Sequence, residues 1–446
     1  MYQFFHMSFS TNKIFRLSRH SNLPVSRLGA LQILSLSCND KPIQSLLNDY
    51  LGKNPVSPAD AALITELVYG FLRSKIRLDW LLSFFMDKPH KLPEALRLVI
   101  GLAFFELLYL DKIPARATVH TAVEITRHLF GDSLSRVTNG VLRSFIRRAT
   151  QCHYFDNSFI DAHVSTKSLR LSIRYSIPEW IVLLWLNAYD DTFTENCCNN
   201  SSVLPWIGLR LNSALSGWKE LATSLGGLKL AHSGLLLAPG AHTDLRSLHK
   251  DGKLSYQGAG SQRILYELEP HKWPQPIWDV CAGRGGKTLA LAEMGINVTL
   301  ASDISLSRLR GLSADAARLG LSQPQLFCSS AIDLPINLTP GTFLLDVPCS
   351  GLGTLARHPD LSFIRKPADL PVLVQLQRHI LSACWNRLPS GGFLAYITCT
   401  LNPSENEQQI LQFLHTHSNS KLLHEWKTPP DGKGSDIMYC ALICKL

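Results

Sequence analysis

The sequence predicts a parallel α/β domain at the carboxyl end, preceded by an all-α domain and a small α+β connector. Three observations lead to this prediction. Strand-like and helix-like segments alternate from Trp278 onward, residues 24–150 show helical periodicity, and residues 169–275 mix short strands and helices with Gly and Pro breaks. Such alternation is typical of a parallel sheet with helices on both faces.

The helical domain, 24–150, rests on four segments whose apolar residues recur at helical spacing. An amino-terminal extension, 1–23, precedes this domain. A linker, 151–168, follows it, because periodicity is lost there. The predicted helices are Ala59–Phe85, Leu92–Leu110, Thr118–Phe130 and Arg136–Arg148.

In the connector, WIGLRLN and GLLLAPG predict strands and IPEWIVLLWLNAYDD predicts a helix. The α/β domain, 276–446, has predicted helices near Lys287–Met294 and over Leu306–Leu319 and Leu370–Leu388. Its predicted strands are Ile277–Cys281, Asn297–Ser302, Thr342–Asp346, Gly392–Thr398 and, at the edge, Ile437–Cys444.

The composition is that of a folded protein without a membrane span. Of 446 residues, 46% are hydrophobic and 18% charged, which excludes a disordered or collagen-like protein. The apolar stretches are shorter than the ~20 residues a spanning helix needs. The 11 Cys form no C-x-x-C pair, so we expect neither a zinc cage nor a disulfide framework. We predict a cytoplasmic monomer that has no secretory signal and binds no metal.

Positive charge is concentrated at the amino end. Residues 1–150 carry a net charge of +8 and the rest of the chain +1. This asymmetry is typical of a polyanion-binding module joined to a neutral one, although a basic helical domain without such a role explains it equally well. The candidate phosphate contacts, each of which alone fits a solvated helix face, are Arg73, Lys75, Arg77, Arg143, Arg147 and Arg148.

The segment DVCAGRGGKT, residues 279–288, predicts a ligand-binding turn. Its glycines let a ligand approach the backbone at a helix N-terminus, and their spacing fits neither a Walker A loop nor a dinucleotide fingerprint. The remaining interpretation is a site for a nucleoside-type cofactor. Asp303, at the end of the next strand, is placed to accept hydrogen bonds from ribose hydroxyls. The alternative is a tight turn and a solvated Asp without a ligand.

Two cysteines follow predicted strands of the same sheet. LLDVPCSGLGTLARHPD places Asp346 and Cys349 after one strand, and AYITCTLNPSENE places Cys399 after another. Because parallel strands end at the same edge, we expect both thiols to face one pocket. Cys349 lies in a turn, which favours partial exposure and reactivity. The cysteines interpreted as structural are Cys281, Cys328 and Cys384.

A cofactor pocket, an acid and two thiols fit methylation of a pyrimidine at carbon 5. A thiolate that adds to carbon 6 makes carbon 5 able to attack an electrophilic methyl group. An acid near ring nitrogen 3 stabilises the developing charge. A base must then remove the proton on carbon 5 so that the thiolate can leave. The residues alone do not say which thiol attacks.

DVCAGRGGKT, DVPCSGLG, YITCTLNPSEN and YQGAGSQR resemble segments of the S-adenosylmethionine-dependent RNA cytosine-5 methyltransferases of the Sun family. ELVYGFLRSKIRLDWLL, YLDKIPARATVHTAVEI and RVTNGVLRSFIRR resemble the NusB-type RNA-binding domain. The resemblance covers about residues 24–446. It implies a Rossmann-like methyltransferase domain behind a NusB-like all-α domain, S-adenosylmethionine as cofactor, and 16S ribosomal RNA, free or in an assembling small subunit, as partner.

The resemblance also implies roles for individual residues. Cys399 is the nucleophile, Cys349 assists release of the methylated base, and Asp346 contacts the cytosine close to the cofactor. Arg357 and His358 follow the cysteine loop, where RNA approaches, and His358 is assigned no role. The residues implied to bind S-adenosylmethionine are Cys281, Ala282, Gly283, Arg284, Gly285, Gly286, Lys287, Asp303, Ser330 and Asp346.

Three positions depart from the family pattern. Arg284 replaces a Pro and brings positive charge near the cofactor, and Thr400 replaces a common Ser without expected consequence. Ser330 aligns with an acid that contacts the adenine side, for which Asp333 is the candidate substitute. Since no catalytic group is lost, we expect an active enzyme.

Other functions stay open. A tRNA cytosine-5 methyltransferase would use the same chemistry. An RNA-binding assembly factor with an inactive methyltransferase fold is a second alternative, although Asp346, Cys349 and Cys399 together argue against it. A nucleotide-hydrolysing enzyme conflicts with the missing Walker glycine.

Overall fold

The computed structural model describes residues 23–37, 41–149, 156–240 and 244–446. They form two units: one contains the described residues up to Asn187 together with His358–Ile364, and the other contains 188–357 and 365–446. The predicted extension, 1–23, lies outside the described residues except for Leu23. Among the described helices, none is long and apolar enough to cross a membrane.

The first unit is helical. Its longest described helix is Pro58–Leu82. The N-cap residue Ser57 precedes it, and its hydroxyl accepts a hydrogen bond from the Asp60 N–H at 3.1 Å. In the core, the rings of Phe104 and Phe145 stack with centroids 4.1 Å apart. The helices are Val25–Leu36, Ile43–Lys53, Pro58–Leu82, Glu94–Tyr109, Ala115–Phe130, Asp132–Ala149, Asn157–His163, Lys167–Tyr175, Glu179–Leu186 and Leu361–Ile364, with a 3-10 turn at Pro89–Lys91.

The four helices predicted in this unit are confirmed, with ends that move by at most four residues. The predicted linker, 151–168, is wrong in its described part, because the helix Asn157–His163 lies there. Ile160 and Val164 from this segment are buried in the core of the helical unit. A helix of seven residues is too short to show periodicity in the sequence. The other domain boundaries stay predictions.

The connector part of the second unit is built on an antiparallel sheet in the order β2-β3-β1-β4. Both predicted strands are confirmed as β1 and β3, and the predicted helix is confirmed as Glu179–Leu186 of the first unit. The strands are β1 (Ile207–Leu211), β2 (Leu228–Lys229), β3 (Gly234–Leu237) and β4 (Leu254–Tyr256). The helices are Asp191–Ser202, Trp218–Leu225, Leu245–Lys250 and Ala259–Glu267, followed by a 3-10 turn at Pro270–Lys272.

The rest of the second unit is an α/β domain with a seven-stranded sheet in the order β10-β11-β9-β8-β5-β6-β7. Strands β5 to β9 are parallel to one another, which confirms the predicted class. The strands are β5 (Ile277–Asp279), β6 (Val298–Asp303), β7 (Gln325–Cys328), β8 (Thr342–Asp346), β9 (Phe393–Thr398), β10 (Ser420–Lys427) and β11 (Tyr439–Lys445). The helices are Gly286–Glu293, Leu306–Leu319, Asp369–Arg387 and Glu407–Thr416.

The predicted edge strand Ile437–Cys444 exists as β11 but is not at the edge. It lies between β9 and β10, antiparallel to both. The edge position belongs to β10, which the sequence analysis missed because its residues, SKLLHEWK, are mostly polar and only half-buried. Strand order reverses between β5 and β8, which creates a crevice at their carboxyl ends, where α/β sheets bind ligands.

Candidate active site

The predicted site residues lie at the carboxyl edge of the sheet, on neighbouring strands. Asp279 ends β5, Asp303 ends β6 and Asp346 ends β8, and Cys399 directly follows β9. Parallel pairing keeps these ends together, because Asp346 is in register with Ile397 of β9. Residues from distant parts of the chain therefore share one crevice.

The two thiols are in direct contact. Their Sγ atoms are 3.1 Å apart, and the N–H of Cys399 lies 3.3 Å from the Sγ of Cys349. The two thiols therefore lie together, as expected, and both are half-buried. The hydrogen bond with Cys399 and burial hold the pKa of the Cys349 thiol well above its usual range. Cys349 thus keeps its proton at neutral pH.

A lysine and an aspartate form an ion pair at the same edge. Lys287 Nζ lies 2.5 Å from Asp346 Oδ2, with side chains 8% and 34% exposed. Burial alone would lower the pKa of Lys287, but the Asp346 carboxylate outweighs it and the net pKa is raised. Lys287 is therefore a permanent cation, and the more exposed Asp346 still faces solvent.

The Gly-rich turn is held by two carboxylates. Asp303 accepts hydrogen bonds from the N–H groups of Gly283 at 2.9 Å and Ser305 at 2.8 Å. Asp279, 1% exposed, accepts one from the Thr288 hydroxyl at 2.6 Å. Burial raises the pKa of Asp279 to about 7. Gly285 has φ +81°, and an added Cβ would lie 2.5 Å from Leu312, so this position requires glycine.

This edge fits a nucleoside cofactor. Asp303 offers acceptor oxygens, and the turn offers backbone N–H groups at the start of the helix Gly286–Glu293. Beside Asp303, the side chains of Ile304 and Leu306 are 76% and 52% exposed. Exposed apolar side chains of this kind are suited to contact an adenine ring. The sequence analysis missed both, because an isolated exposed apolar residue gives no signal in a sequence.

Arg284 directs its charge elsewhere than expected. Its guanidinium lies 3.5 Å from Asp315 and packs so closely on Gly311 that a Cβ there would be 2.8 Å from Cζ. Asp315 belongs to the helix Leu306–Leu319. The Arg284 side chain is 68% exposed, so solvent screens its interaction with Asp315.

Ser330 and Asp333 occupy different surroundings. Ser330 is half-buried just beyond β7, and its hydroxyl accepts a hydrogen bond from the Ile332 N–H at 3.2 Å. Asp333 is exposed and lines a cavity of about 300 Å³ with Ala383 and Arg387. This placement favours Ser330 over Asp333 at the cofactor edge.

The cysteines interpreted as structural differ in exposure. Cys384 is fully buried in the helix Asp369–Arg387. Cys281 is half-buried in the turn, and burial raises its pKa well above the usual range. Cys328 is exposed, and its thiol donates a hydrogen bond to the Ile304 carbonyl at 3.3 Å. None of the three has the thiol partner that Cys349 and Cys399 share.

The sequence analysis also missed Glu405. Its side chain is completely buried, and it accepts hydrogen bonds from the N–H and hydroxyl of Ser350 at 2.8 and 2.5 Å. Ser350 directly follows Cys349, so Glu405 joins the loop of one cysteine to the loop of the other. The signal was present only as one Glu among several polar residues after Cys399.

The candidate phosphate contacts of the helical unit separate into two groups. Arg73, Lys75 and Arg77 are half-buried on the helix Pro58–Leu82, and Lys75 lies 2.5 Å from Asp79. Arg143, Arg147 and Arg148 are exposed on the helix Asp132–Ala149. The exposed group is the better placed to meet a polyanion.

Comparison with known proteins gives matches over most of the chain. Residues 265–438 match the 16S rRNA methyltransferase RsmB/F family, and residues 25–147 match the NusB family. The probable ribosomal RNA small subunit methyltransferase B of Synechocystis sp. is 34% identical, covering 92% of this chain and 93% of its own. The Bacillus subtilis protein described in the same words is 31% identical, covering 86% and 87%. The crystal structure of PH0851 covers 96% of this chain and all of its own, with TM-score 0.73 at 20% identity; it supports the fold.

Proposed function

The chain belongs to the RsmB/F family of 16S rRNA methyltransferases, and we propose that it methylates carbon 5 of a cytosine in 16S ribosomal RNA through a covalent cysteine–RNA intermediate. Family membership makes it an S-adenosylmethionine-dependent methyltransferase of small-subunit ribosomal RNA. The observation that carries the finer proposal is the contact between the thiols of Cys349 and Cys399, 3.1 Å apart. We also propose a cytoplasmic location, as the bacterial relatives suggest.

The nucleophile in this proposal is Cys399. Its thiolate adds to carbon 6 of the flipped cytosine, and Asp346 contacts the ring at nitrogen 3 as charge develops. Lys287, 2.5 Å from Asp346, fixes the position of this carboxyl group. Bound S-adenosylmethionine supplies the electrophilic methyl group that carbon 5 attacks.

Cys349 assists the last step. Its raised pKa keeps a proton on this thiol until a strong base appears beside it. As the bond between carbon 6 and Cys399 breaks, the departing thiolate takes the Cys349 proton across the 3.1 Å separation, and the Cys349 thiolate so formed removes the proton on carbon 5, which restores the double bond of the ring. Two thiols in contact thus divide the work of attack and release.

The turn and Asp303 would hold the cofactor. Asp303 receives two backbone hydrogen bonds, from Gly283 and Ser305, which fix its carboxylate and leave lone pairs for ribose hydroxyls. Ala282, Gly283, Gly285 and Ser330 contribute backbone or small side chains at the same edge. The exposed arginines of the helical unit would contact the RNA phosphates, which makes binding dependent on salt.

The first experiment measures methyl transfer from labelled S-adenosylmethionine to protein-free 16S rRNA, with tRNA in parallel. The product nucleoside is identified by mass. 5-Methylcytosine in 16S rRNA supports the proposal, and label in tRNA alone keeps the chemistry and overturns the substrate. If neither is labelled, small-subunit particles are tested next. No label there, with S-adenosylmethionine bound, favours an RNA-binding assembly factor.

The second experiment separates the two thiols. We expect Cys399→Ala to abolish turnover while S-adenosylmethionine still binds. We expect Cys349→Ala to accumulate an RNA adduct that survives denaturant, because attack proceeds and release stalls. The matched control is Cys328→Ala, which removes an exposed thiol of the same sheet and should behave as wild type. An adduct in Cys399→Ala would exchange the two roles.

A further inference from the structure

A buried carboxylate lies between the two cysteine loops. Glu405 is 0% exposed and accepts hydrogen bonds from the Ser350 N–H at 2.8 Å and hydroxyl at 2.5 Å. Gln377 Nε2 donates to it at 2.9 Å and Asn402 Nδ2 at 3.0 Å. Among the ion pairs of the described residues, none involves Glu405. Its charge is therefore balanced by dipoles alone.

Each donor to Glu405 either lies in one of the two cysteine loops or forms a hydrogen bond with one. Ser350 follows Cys349, and its hydroxyl also lies 2.7 Å from Thr400 Oγ1, directly after Cys399. Gln377 donates to the carbonyl of Pro348 at 2.9 Å as well. One carboxylate thus forms hydrogen bonds with both cysteine loops.

A buried charge is costly to keep. Removing an ionised carboxylate from water costs several kcal/mol unless strong hydrogen bonds replace hydration. An apolar side chain would fill the same space without that cost, so packing alone does not explain Glu405. The negative charge has a direct effect nearby, because Glu405 is one of the groups that raise the pKa of Cys349.

We propose that Glu405 is a positioning residue that clamps the two cysteine loops together and holds Cys349 against Cys399. This proposal rests on the proposed function of the two thiols. Glu405 itself need not touch RNA or cofactor, since it acts through Ser350, Thr400 and Asn402. Its loss would misalign the two loops and remove one of the interactions that raise the pKa of Cys349.

The Cys349 loop has a second anchor, which makes the proposal testable. Arg365 Nε donates to the carbonyl of Ser350 at 3.0 Å, and Gly353 N–H donates to the carbonyl of Cys399 at 3.0 Å. These contacts do not involve Glu405. A variant at Glu405 should therefore retain the loop and lose only its alignment.

The test compares Glu405→Gln with Glu407→Gln in the full-length protein. Gln has nearly the size of Glu, but its amide N–H would face at least one of the groups that now donate a hydrogen bond to Glu405. Glu407 is the matched control, because it begins the helix directly after this turn and pairs with Lys427 instead of a cysteine loop. We expect Glu405→Gln to lower kcat about a hundredfold, as ~1 Å misalignment does. KM for RNA and the Kd for S-adenosylmethionine should match those of wild type and Glu407→Gln.

A second readout does not depend on RNA or turnover. Iodoacetamide alkylation is followed by mass spectrometry at Cys349 and at Cys384, which is fully buried in a helix. In Glu405→Gln, we expect faster alkylation at Cys349, because its thiolate forms more readily. Cys384 should stay unreactive, since the fold is intact. Ser350→Ala keeps the Glu405 carboxylate and loses the two hydroxyl contacts of Ser350, with Glu405 and Thr400. It should lower kcat less and leave the alkylation rate of Cys349 closer to wild type.

Each result bears on the proposal. Unchanged kcat and unchanged alkylation of Cys349 in Glu405→Gln would overturn it. Faster alkylation at both Cys349 and Cys384 would assign Glu405 to general stability and overturn it as well. If wild type itself transfers no methyl group to any RNA, the proposed function fails, while the alkylation comparison still decides whether Glu405 governs Cys349.

Discussion

Replacing Arg210 by Met removes one half of a buried ion pair next to the cofactor turn. Arg210 Nε and Nη2 donate to the Glu293 carboxylate at 2.6 and 3.2 Å, and the side chains are 5% and 1% exposed. Nη1 donates to the carbonyl of Gly286 at 2.9 Å, in the first turn of the helix that ends at Glu293. The variant therefore leaves a buried carboxylate without its partner and removes one of two side-chain donors to the Gly286 carbonyl.

The magnitude follows from the burial. Breaking a buried pair by removing one partner costs about 3–5 kcal/mol. For a domain of about 150–250 residues, each kcal/mol lowers Tm by about 2–4 °C, so we expect a fall of about 6–20 °C. Burial raises the pKa of Glu293, and Arg210 opposes that rise. Without Arg210 the carboxyl takes up a proton more easily in the folded state, so the loss should be full at pH 8 and smaller at pH 5.

The assay is thermal unfolding with and without S-adenosylmethionine, following the transition that the cofactor raises. Arg210→Met combined with Glu293→Leu should recover most of the loss, because no unpaired charge remains. Arg263→Met is the control, since Arg263 lies 3.7 Å from Asp431 with side chains 29% and 12% exposed, a pair worth at most about 1 kcal/mol. The reasoning is refuted if Arg210→Met alone is no less stable than Arg263→Met, or if its Tm falls more at pH 5 than at pH 8.

Three further predictions concern the turn, the thiol loops and the helical unit. Asp279→Asn should raise Tm at pH 8 and make Tm depend less on pH. Burial raises the pKa of Asp279 from 3.8 to about 7. The carboxyl therefore contributes about 4 kcal/mol of stability below pH ~4, and this contribution is lost as the pH rises to ~7. Gly353→Ala should lower kcat about a hundredfold at unchanged Kd for S-adenosylmethionine, because a Cβ would lie 1.8 Å from the Ile437 carbonyl and 3.0 Å from that of Cys399. Arg143→Ala with Arg147→Ala should weaken RNA binding and reduce the slope of log K against log salt by about one per arginine, measured by a salt titration.

Each of these has a contrary result. A lower Tm at pH 8 in Asp279→Asn would mean that the ionised carboxylate stabilises the turn. Wild-type turnover in Gly353→Ala would show that the contact with Cys399 does not align the nucleophile. An unchanged salt slope in the arginine double variant, with Lys272→Ala as a surface control in the other unit, would remove this helix face from the RNA-binding surface.

The sequence was most informative where local pattern and tertiary role agree. Leu306–Leu319 and Thr342–Asp346 were predicted with the bounds that the structure has, because each has a clear period and is bounded by turn residues. The crevice was predictable as well, since residues at the ends of parallel strands must meet at one edge. That rule brought Cys349 and Cys399 together across 50 positions of sequence.

The misses have a common physical origin. The helix Asn157–His163 is short, and the strand β10 is polar and half-buried, so neither has a pattern strong enough to stand out. Their structure comes from contacts with distant residues, such as the pairing of β10 with β11. Local propensity is a weak guide when the partner supplies most of the stabilisation.

By itself the sequence determined the fold class, the Gly-rich turn and the two thiol positions, because glycine spacing, strand periodicity and cysteine placement are local properties. Tertiary structure decided which charges act at the site. It paired Arg284 with Asp315, Lys287 with Asp346 and Arg210 with Glu293. It also buried Glu405 between the thiol loops. Charge interactions depend on distance and burial, and both are set only when remote segments of the chain pack together.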